Sequence, residues 1–185
     1  MKNLIKITLI LALPLALFSC SNDDDTPQPV NEEEIITTVT LILTPDGGGT
    51  TVAFQSTDLD GDGPDDPVVT VSGNLAANTT YNGETVFLNE TENPAENITE
   101  EVTEEGEEHQ VFYVPSTGLN ASFSYANFDA NGNPIGTLFT LQTGAASTGS
   151  LNVVLRHEPK KPNNGTLADA GGETDVMVSF PITIE

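Results

Sequence analysis

From Ile35 to the C-terminus, apolar and polar residues alternate with a period of two, the pattern of strands that bury one face and wet the other. Val39, Leu41 and Leu43 fall on one side of the first such run, with Thr38, Thr40 and Thr44 on the other. Pro45-Asp46-Gly47-Gly48-Gly49 then turns the chain into a second strand over 51–55. Further strands are predicted at 67–72, 84–89, 110–114, 120–126, 135–141, 150–156 and 174–184. The last has the cleanest alternation: Val176, Val178, Phe180, Ile182 and Ile184 against Asp175, Met177, Ser179, Pro181 and Thr183. Pro181 has no N–H to give to a ladder, so this strand belongs at an edge. About nine short strands separated by Gly, Asn, Asp and Pro turns predict an all-β fold, an immunoglobulin-like β-sandwich.

Two segments modify this picture. Phe54 to Asp62 superimposes without gaps on Tyr125 to Asn133, and each copy sits between strands. The repeat unit would be four strands and the fold two such units in tandem; the alternative is that two hairpins with Asp, Asn and Gly in their turns look alike. Between the copies, 89–108 is dominated by Glu, and reads as an exposed, poorly packed connection, either a solvated hairpin or one short helical turn. No window after residue 20 carries a sustained apolar stripe of helical period.

The N-terminus is organised differently. Lys2 and Lys6 bracket the apolar run from Leu4 to Phe18, too short for a membrane span, which closes on Leu17-Phe18-Ser19-Cys20. This sequence resembles the bacterial lipoprotein box. Residues 1–19 are then a signal peptide, and Cys20, the sole cysteine, becomes an acylated N-terminus that anchors the protein to a membrane. Residues 20–34 read as a solvated acidic tether and 35–185 as the sandwich domain. Ser21-Asn22-Asp23-Asp24-Asp25 resembles the acidic signal that sends lipoproteins of the Bacteroidota to the cell surface.

Charge narrows the partners. All 28 acidic residues follow the signal, whereas Arg156, Lys160 and Lys161 are the basic residues that do so. Nucleic acid and bare anionic lipid are excluded, because phosphate must be met by Lys and Arg. The acyl chains are left as the membrane contact, and a protein or polysaccharide ligand remains open.

Asp58-Leu59-Asp60-Gly61-Asp62-Gly63 is the sharpest motif. Aspartates at alternate positions of a tight turn bring three carboxylates together, as calcium requires. Val69 stands where an EF-hand loop has its bidentate glutamate, so Asp65 or Asp66, or a backbone carbonyl from a neighbouring loop, would complete the shell. Asp129, Asn131 and Asn133 form a weaker copy, read as either a metal loop or a turn, with the turn preferred. His109 and His157 offer no closely spaced ligand set for a transition metal and are expected to be structural or superficial, at strand ends beside a carboxylate. Arg156 and His157, in the basic cluster, are candidates for contact with a ligand. No nucleophile elbow, zincin motif or phosphate loop is present.

The lipobox and tether, the Asp58–Gly63 loop, Glu108-His109-Gln110, Leu155-Arg156-His157-Glu158-Pro159 and Gly171-Gly172-Glu173-Thr174-Asp175 together resemble a group of small flavobacterial surface lipoproteins of uncharacterised function. Some members carry the label of a type 1 periplasmic-binding fold, which needs two α/β lobes with crossover helices; the strand-rich pattern here predicts a sandwich. The resemblance implies an exported, outer-membrane, surface-exposed lipoprotein. Its domain is expected to be a calcium-stabilised binding or adhesion module rather than an enzyme. The alternatives are a passive structural envelope lipoprotein and, less favoured, a small hydrolase.

Overall fold

The computed structural model describes residues 34–61 and 63–185; Cys20, the segment up to residue 33 and Asp62 lie outside the described residues. Ten strands and two short helices follow one another as β1 (Thr38–Pro45), β2 (Val52–Thr57), β3 (Val68–Val71), β4 (Thr80–Asn89), β5 (Glu96–Asn97), α1 (Ile98–Glu104), β6 (His109–Pro115), β7 (Ala121–Tyr125), β8 (Leu138–Thr143), β9 (Ser147–His157), α2 (Leu167–Ala170) and β10 (Glu173–Ile184). They form two antiparallel sheets. The larger runs β3-β2-β1-β4-β8-β7, with β5 added to β4, and the smaller runs β10-β9-β6. β10 is an edge strand, as Pro181 requires.

The alternation read from sequence is the alternation of burial. Val39, Leu41 and Leu43 of β1, Phe54 of β2, Tyr81 and Phe87 of β4 and Leu141 of β8 face the smaller sheet. They meet Val111 of β6, Leu151, Val153 and Leu155 of β9 and Phe180, Ile182 and Ile184 of β10 in one core. Gly83 of β4 lies opposite Phe139 of β8, and a Cβ there would sit 2.4 Å from the ring. The space left by the missing side chain lets Phe139 pack on Tyr113 of β6 at 4.1 Å, tying the two sheets together. On the outer face of the smaller sheet, Phe112 and Val154 pack beneath Leu167 and Ala170 of α2.

Two expectations need correction. The two tandem four-strand units do not form separate layers: β4 pairs with both β1 and β8, so strands of both halves share the larger sheet. The two loop copies instead connect β2 to β3 and β7 to β8, the hairpins at its opposite edges. The connection 89–108 is also better packed than its glutamates suggest. Asn97 caps α1 by accepting from the Thr99 N–H, which starts a helix whose Ile98 and Val102, four residues apart, are both buried in the main core. A short amphipathic helix of seven residues is enough to dock the segment, because both apolar side chains fall on the same face.

Candidate metal centre

β6 and β9 pair so that His109 and His157 are directly opposite. Residues two apart along a strand share a face, so His109 lies with Val111 and Tyr113, and His157 with Leu155 and Val153, on the side facing the larger sheet. Their rings meet at 4.6 Å between centroids. The core therefore ends in two imidazoles.

Two carboxylates complete the group. Glu34, just before β1, places Oε1 2.9 Å from His109 Nε2 and Oε2 3.8 Å from His157 Nδ1. Asp175 of β10 places Oδ1 3.9 Å from the same His157 Nδ1. Side-chain exposure is 0% for His109, 5% for His157 and Glu34, and 1% for Asp175. One donor atom from each of the four residues falls within 4.8 Å of every other. Tether composition assigns Glu34 to solvent; instead its carboxylate is inside the domain.

Local sequence explains how each donor is aimed. The Glu105 carbonyl, at the C-cap of α1, lies 3.3 Å from His109 Nδ1 and can only accept, so Nδ1 carries the hydrogen and Nε2 points at Glu34. This second contact fixes tautomer and ring orientation, as backbone carbonyls do for metal-bound imidazoles. Asp175 is turned inward by a bulge: the β9–β10 register shifts between Thr174 and Val176. The bulge follows Gly171 and Gly172, both at positive φ. A Cβ on Gly172 would lie 2.3 Å from the His157 carbonyl oxygen, so only glycine lets the start of β10 pass this close to the His157 backbone.

Two carboxylates are nearly removed from water, and Glu108 Oε2 lies 3.9 Å from His157 Nε2 on the outer side. Burial, then the carboxylates of Glu34, Glu105 and Glu96, push the Glu101 carboxyl above its usual range, while His109 pulls the other way. Glu34 Oε2 and His157 Nδ1 are both buried without a hydrogen bond, an arrangement that costs stability unless something lies between them. These separations involve both Glu34 oxygens, and one donor atom per residue lies within 4.8 Å of the others, so bonds of about 2.0–2.1 Å to a single ion would need the side chains to draw together by a few tenths of an ångström.

The residues singled out by sequence lie elsewhere or act differently. Asp58 Oδ1 accepts from the Gly61 N–H at 2.9 Å and Asp60 Oδ2 from the Asp65 N–H at 3.3 Å; Asp65 and Asp66 are exposed, and Asp62 lies outside the described residues. Among the described residues this loop gathers no set of three ligand atoms. Asp129 accepts from the N–H groups of Asn131 and Asn133 and from the Asn133 amide, and faces Lys161 Nζ at 3.5 Å. Burial opposes its ionisation, but these hydrogen bonds and the Lys161 ammonium outweigh it and hold the carboxyl below its usual range. In this copy a lysine stands where a metal cation would.

Arg156 and His157 do not form a joint contact surface. Neighbours on a strand point to opposite faces: Arg156 Nη1 donates to the Gly172 carbonyl, while His157 is internal. His109 and His157 stand at strand ends beside carboxylates, as expected; strand register adds that the two rings, far apart in sequence, meet in one cluster.

No family model, curated protein or solved structure matches the chain.

Proposed function

We propose that the chain is an exported, lipid-anchored protein of the cell envelope, displayed at the surface, whose sandwich domain binds one divalent transition ion of the zinc class. The observation that carries the ion is the convergence of Glu34, His109, His157 and Asp175 in the interior, with Glu34 Oε2 and His157 Nδ1 buried without a hydrogen bond. Two imidazole nitrogens and two carboxylate oxygens suit zinc and its neighbours. Calcium takes six to eight oxygens and is the poorer match. Four protein donors with little access to water describe a closed site, so the ion supplies stability rather than catalysis. Support for the anchor comes from the signal pattern ending at Cys20.

Equilibrium dialysis is expected to give one tightly held zinc per chain, undisturbed by excess calcium, and none in a His109→Ala/His157→Ala variant. Equal zinc content in both proteins would remove the metal reading. The anchor has its own test. Cys20→Ala is expected to move the protein out of the membrane fraction or to stall its processing, and unchanged fractionation and processing would remove it.

A further inference from the structure

The four donors come from four places in the chain. His109, His157 and Asp175 represent all three strands of the smaller sheet, β6, β9 and β10, whereas Glu34 precedes β1 of the larger sheet. Glu34 is also the last residue of the segment that sequence reads as the tether from Cys20. Among the described residues little else holds this junction. The first backbone hydrogen bonds after it are at Thr37, whose N–H donates to Leu88 and whose carbonyl accepts from Asp58; Ile36 packs against the core and Ile35 is 61% exposed.

We infer that the ion is a latch, closing the tether junction onto the smaller sheet through Glu34, so that metal occupancy decides whether the domain begins at Glu34 or at Thr37. The inference rests on the metal reading of the cluster. Glu34 is the only one of the four donors that lies outside a strand; His109 and His157 are fixed by strand pairing, and Asp175 by the paired residues Thr174 and Val176 on either side of it. Loss of the ion therefore releases Glu34 first. Its carboxylate then leaves a pocket in which its Oε2 has no hydrogen bond, and gains water. In an anchored protein this frees three more residues of leash and exposes the Glu34–Ile35 bond, at which a protease would part the domain from its lipid.

A glutamate-specific endoprotease reads this directly, because it must take the Glu34 side chain into its own pocket to cut that bond. Cleavage of the full chain, followed by mass spectrometry of the new N-termini, is expected to give products starting at Glu33 or Glu34 in zinc. Products starting at Ile35 are expected in chelator. If cutting requires the ion-free form, zinc at a hundredfold above Kd should slow the Glu34–Ile35 cut about a hundredfold. Glu84, in the central strand β4, reports global unfolding and should stay uncut in both. His157→Ala should give the Ile35 product at the same rate with and without zinc. If zinc binds by dialysis yet leaves the Glu34–Ile35 rate unchanged, or if Glu84 is cut in parallel, the latch is wrong and the metal site stands. Absence of zinc binding would sink both.

Discussion

Replacing Lys161 by methionine is expected to destabilise the domain by about 3–5 kcal/mol, the usual cost of leaving one member of a buried ion pair alone. The Lys161 side chain is 6% exposed and that of Asp129 1%. The ammonium donates to the carbonyls of Gly106 and His109 at 2.5 and 2.6 Å while facing Asp129 Oδ2. Methionine keeps the stem but strands a carboxylate and two carbonyls. Those groups lie on the α1–β6 connection and on the β7–β8 loop, so one cation pins two loops at the end of the sandwich. Chain size converts the loss to a fall in Tm of roughly 10 °C. Asp129→Asn in the methionine background removes the orphaned charge, and urea unfolding should show it recovering part of the loss. A Lys161→Met variant within about 0.5 kcal/mol of wild type would mean that the pair is solvated and contributes as little as an ordinary surface salt bridge.

The fold was legible because it depends on parity. Val176 to Ile184 alternate in sequence and in the sheet, and Pro181 identified an edge without reference to any other strand. The metal centre was far less legible, because its members are joined by register, which no local window contains. His109 and His157 belong to different strands and become neighbours only when β6 pairs with β9. A signal did exist: each histidine has the parity of buried residues, His109 with Val111 and His157 with Leu155, and a polar residue at buried parity asks for a partner. Glu34 was hidden differently. It follows Glu32 and Glu33, and composition cannot tell the glutamate that turns inward from two of the same kind. Asp175 fell on the outer side of a strict alternation, and the bulge before Val176 reversed it.

Zinc is expected to raise the melting temperature of the wild-type protein and to leave that of Glu34→Gln nearly unchanged. An ion that binds only the folded site adds RT ln(1 + [L]/Kd), about 2.7 kcal/mol at a hundredfold excess over Kd. For a domain of this size the shift is roughly 5–10 °C. Glutamine is nearly isosteric with glutamate and keeps a carbonyl oxygen, but it brings no charge to balance the ion. Comparison in zinc and in chelator then separates two accounts of the same geometry. If Glu34 serves only as the ion-pair partner of His109 at 2.9 Å, its loss should cost the same stability under both conditions. If Glu34 is a ligand, the cost should be large in zinc and far smaller in chelator, because without the ion there is no metal bond for the substitution to remove. Equal cost in the two conditions would reduce the cluster to a buried ion-pair network.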